Sequence, residues 1–190
     1  MIKNDVESIA DEDLAHLIAN GEEFYFEVLH NRYREKVFSK CLNMTNSPEV
    51  AEDQTQEILM KALKATKLYR GEAKYSTWLY AITYNHCVNY LRDNKRIKFD
   101  DWEDILEIPE EPNEREVFQI MDLQKERLTL LLEFLKPEDK AVLVLKYWEG
   151  MDLERIKYIL SIKSTSAMKM RLLRARKRLR AVYHRFHPVI

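Results

Sequence analysis

The chain has 190 residues, 46% of them apolar and 33% charged, which suits one compact domain or two small ones and excludes a disordered polymer or a large multi-domain enzyme. Its 3 glycines and 5 prolines starve a β-rich fold of turn residues and leave no glycine-rich phosphate loop, so the expected class is all-α. The net charge of -1 hides a polarised layout: residues 99–122 hold 10 acidic residues against 1 basic, residues 123–190 hold 16 basic against 7 acidic, and no Asp or Glu follows Glu154. A basic end of this kind points to a polyanion partner.

Four helices are predicted in the first part of the chain. Asp11–Ala19 is short and stops at Gly21. Phe24–Leu42 follows, with Phe24, Val28, Tyr33, Val37 and Cys41 on one stripe. Ser47 caps the third helix, Pro48 takes its first position, and Glu49, Glu52 and Asp53 load the first turn with acid. Ala51, Thr55, Ile58, Ala62 and Leu63 face inward there, leaving Asp53, Gln56, Glu57 and Met60 on the outer face. After a loop over Lys67–Tyr75, Ser76 or Thr77 caps a fourth helix that runs to about Lys95, with Trp78, Ile82, Val88 and Leu91 near one face.

This last stretch, Tyr69–Arg96, mixes Tyr75, Trp78, Tyr80, Tyr84 and Tyr90 with Lys74, Asn85, Asn89, Arg92, Lys95 and Arg96. Aromatic faces stack on unpaired bases while cations follow phosphates, so the composition suits single-stranded nucleic acid. Trp78 and some of the tyrosines are expected in the core, which leaves Lys74–Thr77, just before a helix amino end, as better candidates for contact with a displaced base. The acidic stretch Phe99–Glu116 has two prolines and no helical stripe. It reads as a linker over 99–117 between domains at 1–98 and 118–190.

The second domain is predicted to open with a helix from Phe118 to Leu135, followed by one from Pro137 to near Gly150. Asp152 then caps a short helix, Leu153–Leu160, Ser161–Ser164 turn, and a long helix runs from Thr165 to Phe186. Short helix, tight turn and longer basic helix make a helix-turn-helix. On the last helix Met168, Leu172, Ala175, Leu179, Val182 and Phe186 form the apolar stripe. A basic amphipathic helix also suits a membrane surface, but the capped helix before it supplies a scaffold for a DNA groove. Ser164, Thr165, Ser166, Lys169, Met170, Arg171 and Arg174 lie in the turns that meet base edges, with Arg171 and Arg174 best able to pair with guanine. Arg176, Lys177 and Arg178, further along, are the expected phosphate contacts.

Other chemistries find little support. Cys41 and Cys87 cannot build a disulfide framework or a four-cysteine zinc site, and their scarcity fits a reducing compartment. No stretch reads as a signal peptide or as a membrane span, so a soluble, cytoplasmic protein is expected. His16, His30, His86, His184 and His187 fall in no metal-ligand motif, and there is no serine elbow. The residues therefore point to no catalytic group, cofactor or metal, and to a protein that is not an enzyme. A free-standing helix-turn-helix regulator and a pure interaction scaffold remain as alternatives.

Two strings carry a resemblance. AEDQTQEILMKALKATKLYRGEAKYSTWLYAITYNHCVNYLR looks like the second conserved region of a bacterial RNA polymerase sigma factor of the extracytoplasmic-function (ECF) group. LKPEDKAVLVLKYWEGMDLERIKYIL followed by MKMRLLRARKRLR looks like its fourth. In their order, and with an acidic linker between them, they make the chain similar to that family over nearly its whole length. The resemblance implies core RNA polymerase and promoter DNA as partners, and an anti-sigma protein where one exists. By the same resemblance Asp53, Gln56, Glu57 and Met60 would dock on the clamp coiled coil of the largest polymerase subunit. Lys74, Tyr75, Ser76, Thr77, Tyr80, Asn85, Asn89, Arg92, Lys95 and Arg96 would read the melted −10 element, and Thr165–Arg178 the −35 element. The linker would thread toward the active-site and RNA-exit channels. The turn departs from the family's usual Gly-Ile-Ser before Val-Gly-Thr-Val-Lys, since Ser161 stands for the glycine and one residue is added before Lys169.

Overall fold

A computed structural model describes residues 6, 8–94, 113–123 and 125–186. The expectations for Lys95, Arg96 and the acidic stretch up to residue 112 lie outside the described residues. Every regular element among the described residues is helical, as expected, and none of these helices is long and apolar enough to cross a membrane. The chain divides into two compact units, Met1–Cys87 and Val88–Ile190.

The first unit holds α1 (Asp11–Ala19), α2 (Tyr25–Thr45), α3 (Pro48–Thr66) and α4 (Tyr75–Asn94), the last continuing unbroken past Cys87. The start of α3 follows the sequence: the Ser47 side chain accepts from the Val50 N–H and Pro48 opens the helix. Asn46, at φ 57°, turns the chain between α2 and α3 in the left-handed region that asparagine tolerates. Leu14, Ile18, Leu29, Val37, Met44 and Ile58 fill the core. Phe24 lies outside it, 70% exposed at the head of α2, so the buried stripe of that helix begins with Leu29.

Helix α4 differs from expectation in both its start and its inner face. Its first N–H, on Tyr75, donates at 2.9 Å to the Glu12 carboxylate of α1, so the cap comes from across the unit rather than from Ser76 or Thr77. Its buried side chains are Tyr75, Thr77, Leu79, Tyr80, Thr83, Tyr84, Cys87 and Val88, whereas Trp78, Ile82 and Leu91 are half-buried. Tyrosine goes inside here because it finds partners. The Lys40 ammonium sits 4.2 Å from the Tyr80 ring centre, and Tyr33 meets Tyr75 edge-on at 5.6 Å. The Tyr33 hydroxyl in turn donates to Asp11, whose carboxylate also accepts from Arg32 at 2.6 Å. Between α3 and α4, Lys61 Nζ donates to His86 Nδ1 at 2.7 Å, and Glu57 lies 3.5 Å from the other ring nitrogen. Burial first, and Lys61 second, hold the His86 imidazole below its ordinary range.

The second unit contains α5 (Glu114–Met121), α6 (Lys125–Glu133), α7 (Pro137–Leu143), α8 (Leu153–Ile159) and α9 (Thr165–Phe186). Val144–Trp148 extend α7 as a π-turn, and Gly150, at φ 64°, ends it where a glycine is needed. The single helix expected over Phe118–Leu135 is two, and the first begins inside the stretch read as linker. Asn113 caps α5 by accepting from the Arg115 N–H at 3.0 Å. Glu114 and Glu116 then bind α9, which fixes α5 on an axis of its own. Helix α9 buries Met168, Leu172, Ala175, Leu179 and Val182 as its spacing requires, while Phe186 is half exposed against Phe134, with ring centres 4.7 Å apart. Asp139 of α7 is buried and pairs with Arg178 of α9.

Two outcomes follow from these contacts. Arg178→Ala strands the Asp139 carboxylate in the interior and should lower unfolding stability by about 3–5 kcal/mol, against no more than about 0.5 for the exposed Arg174→Ala, as read by denaturant unfolding. The depressed His86 pKa means that the folded state favours the neutral ring, so its stability is full above the ordinary imidazole value of 6.5 and falls as the pH drops below it. Between about pH 7.5 and 5.5 the wild type should therefore lose more Tm than His86→Gln.

Candidate nucleic-acid and polymerase interfaces

The helix-turn-helix is built from its turn outward. Asp152 caps α8 by accepting the Arg155 N–H at 2.8 Å. Ser161 then turns the chain at φ 53°, a backbone state that favours glycine, and the Ile162 N–H closes back on the Lys157 carbonyl at 2.9 Å. Ser164 caps α9, its hydroxyl accepting from Ala167 at 3.1 Å and its carbonyl from Met168 at 2.9 Å. The Thr165 hydroxyl donates to Glu154 of α8 at 2.8 Å, and Lys157 donates to that same carboxylate. These hydrogen bonds, Lys157's first, hold Glu154 below the usual carboxylate range. They also tie the first turn of α9 to the scaffold helix.

Opposite the buried stripe, Ser164, Ser166, Lys169, Met170, Arg171 and Arg174 are exposed, and Lys177 and Thr165 are half-buried. Met170, Arg171 and Arg174 also line an open cleft of about 690 Å³ shared with Lys136, Ser161 and Ile162. Arg176 and Arg178 do not join this face. Arg176 donates to the Tyr147 hydroxyl at 2.5 Å and to Glu114 at 2.9 Å, and Arg178 is held by Asp139. Both were expected on phosphates; in the structure both are engaged inside the unit, because carboxylates on neighbouring helices lie within reach.

The residues expected to meet melted DNA divide in the same way. Lys74 is exposed beside Gly71, whose φ of 71° shapes the loop, and the Tyr69 hydroxyl braces that loop by donating to the Ala73 carbonyl at 2.6 Å. Ser76 is half-buried. Tyr75, Thr77 and Tyr80 are buried at 1%, 8% and 9% exposure, so their rings and hydroxyl support the surface instead of forming it. Burial pushes the Tyr75 phenol up to about 12. Asn85 is half-buried and donates to the Ala81 carbonyl at 2.8 Å, while Asn89 and Arg92 are exposed and joined to each other at 2.9 Å.

Helical spacing puts Trp78 on the strip of Asn85, Asn89 and Arg92, where the sequence reading had assigned it to the core. It is half-buried against Tyr69 and Tyr75, each 5.4 Å away between ring centres. The signal was its three- and four-residue register with Ile82, Asn85 and Asn89, which a search for apolar stripes passes over. On α3, Asp53, Gln56, Glu57 and Met60 are all exposed along one strip, Met60 at 53%. Glu57 also neighbours Lys61 at 3.9 Å, and the strip runs from the acidic Asp53 to the apolar Met60 at its far end.

Residues 29–97, from α2 through α4, match the family model of Sigma-70 region 2. Over 184 residues the chain is 27% identical to the ECF RNA polymerase sigma-E factor of Haemophilus influenzae, covering 90% of this chain and 94% of that one. Against the ECF RNA polymerase sigma-E factor of Escherichia coli K12 it is 26% identical over 193 residues, covering 97% and 98%. The fold is similar to that of CnrH in its complex with the cytosolic domain of CnrY, with a TM-score of 0.63, 21% identity and coverage of 93% and 99%. It is also similar to the sigma factor RpoE bound to the anti-sigma factor NepR from Bartonella quintana, with a TM-score of 0.57, 18% identity and coverage of 83% and 95%. By the region-2 match over residues 29–97 and by likeness along nearly its whole length, the chain is similar to RNA polymerase sigma factors of the extracytoplasmic-function group.

Proposed function

We propose that this chain binds core RNA polymerase, directs it to promoters through −10 and −35 elements and assists melting, while the polymerase carries out the chemistry. The reading divides the chain into a polymerase-binding and −10 part at 1–98, an acidic connection over 99–117 and a −35 part at 118–190. The observation that carries it is the pairing of a braced helix-turn-helix, with Ser166, Lys169, Met170, Arg171 and Arg174 outward, and a separate helix, α4, with Trp78, Asn85, Asn89 and Arg92 on one strip. A free-standing regulator would account for the first surface and leave the second without a purpose.

The mechanism is differential binding to the open state. Unpairing and flipping a base costs a few kcal/mol, and an aromatic platform returns about 1–3 kcal/mol per stacked base. Trp78 supplies that platform, Asn85 and Asn89 the hydrogen bonds, and Lys74 and Arg92 the cations along the strand. Helix α9 enters the major groove of the upstream duplex, where Arg174 and Arg171 read base edges and Lys169 and Lys177 meet phosphate. On α3, Asp53, Gln56, Glu57 and Met60 bind polymerase, the carboxylates through charge and Met60, at the far end of the strip, through apolar contact. The complexes with NepR and with the CnrY domain support an inhibitory protein partner here too. The site of action is the cytoplasm, where the polymerase works.

Transcription in vitro with core polymerase on a random-promoter library tests the whole reading; no selected start site would reject it. Asp53→Lys with Glu57→Lys should abolish co-purification with core polymerase and leave the unfolding curve unchanged, since both side chains are exposed. Arg174→Ala should cost about 1–3 kcal/mol at one upstream base position and relax the preference there. A uniform loss across all promoter variants would move the base-reading role to another residue.

A further inference from the structure

Helix α9 carries cations on both flanks of its buried stripe as well as on its outward face. On one flank Arg176, Arg180 and His184 follow one another at four-residue steps. Arg176 meets Glu114 at 2.9 Å, and both Arg180 and His184 meet Glu116 at 3.1 Å. On the other flank Arg178 is held by Asp139. The carboxylates come from α5 and α7, and the three arginine side chains are only 16–22% exposed. An arginine already paired with a carboxylate gains little by moving to a phosphate, because one anion merely replaces another and the pair must first be broken. Pairs on opposite flanks also resist rotation of α9 about its axis, since rolling either way stretches one set.

We infer that Glu114 and Glu116 are positioning residues that set the sequence specificity of α9. They withdraw Arg176 and Arg180 from phosphate and, against Asp139 on the far flank, hold the helix at the roll that turns Ser166, Met170 and Arg174 outward. The inference rests on the assignment of α9 as the promoter-reading helix. Phosphate contacts strengthen binding to every sequence alike, and only base contacts discriminate. Neutralising these two flank cations internally therefore lowers indiscriminate affinity and raises the ratio of correct to incorrect sites.

The test uses holoenzymes carrying the full-length wild-type chain, Glu114→Gln with Glu116→Gln, Arg180→Gln, and all three changes together. Each is titrated with a promoter duplex and a scrambled duplex across a range of salt. The double glutamine variant should steepen the salt dependence on scrambled DNA by roughly 0.9 for each released arginine and lower the promoter-to-scrambled ratio several-fold. Adding Arg180→Gln should remove about half of that extra slope, whereas Arg180→Gln alone should leave slope and ratio at the wild-type values. An unchanged slope in the double variant, or a slope lost through Arg180→Gln alone, overturns the inference. Should the double variant fail to assemble, the single Arg180→Gln measurement still decides. Full discrimination at the upstream element that survives Ser166→Ala, Arg171→Ala and Arg174→Ala combined fails the α9 assignment instead, so the two failures are distinguishable.

Discussion

Asp139 brings a carboxylate into the interior of the C-terminal unit, and Arg178 must remain beside it. Burial pushes the acid up from its ordinary range, and the arginine opposes that shift through charge and a hydrogen bond. Such a pair adds little net stability over an apolar contact, yet breaking it is expensive. Its effect is geometric. It joins the first turn of α7 to the middle of α9, which fixes where the Met168–Val182 stripe meets the core and hence which side of α9 is left outside. The turn at Ser161 and the Thr165–Glu154 hydrogen bond complete the placement at the other end of the helix.

The N-terminal unit solves a related problem with rings. The proposed capture of a base requires a firm platform, and firmness in a short loop is hard to obtain from backbone alone. Tyr33, Tyr69, Tyr75 and Trp78 form a chain of contacts with ring centres 5.4–5.7 Å apart, from the middle of α2 to the loop before α4. Tyr33 is tied to Asp11 and Tyr69 to the loop carbonyl at Ala73, so both ends of the chain are anchored. Most of these aromatics thus lie behind the surface, and Trp78 alone of the four lies on the α4 strip with Asn85 and Asn89.

Helix existence and apolar stripes were readable from the residues because they rest on local rules. Asp11–Ala19, the Ser47–Pro48 start, the Asp152 cap and the Thr165–Phe186 helix all stand where spacing and capping put them. The outer face of α3 was equally legible, since a polar strip opposite an apolar one leaves no choice. What escaped were pairings between residues distant along the chain. Glu12 caps a helix that begins 63 residues later, and Glu114 and Arg176 lie 62 apart. Nothing in a linear pattern says that an arginine on a basic helix already has a carboxylate, or that a tyrosine has found a lysine to sit under it. The same blindness hid the partners that Arg176 and Arg178, expected on phosphates, have inside their unit, and the burial of Tyr75 and Tyr80, expected among the residues that read the melted element.

Two side chains of helix α1 hold residues of α2 and α4. Asp11 holds Arg32 and Tyr33, and Glu12 holds the first amide of α4. Proteolytic clipping between Glu12 and Leu14 would leave the apolar core of α2 and α3 largely intact while uncapping α4 and freeing the ring chain beneath its loop. On the proposed function, a chain so shortened keeps the α3 strip but presents a frayed platform to the separated strand, and binds polymerase without opening DNA. On that reading helix α1 is a latch on the step that follows assembly.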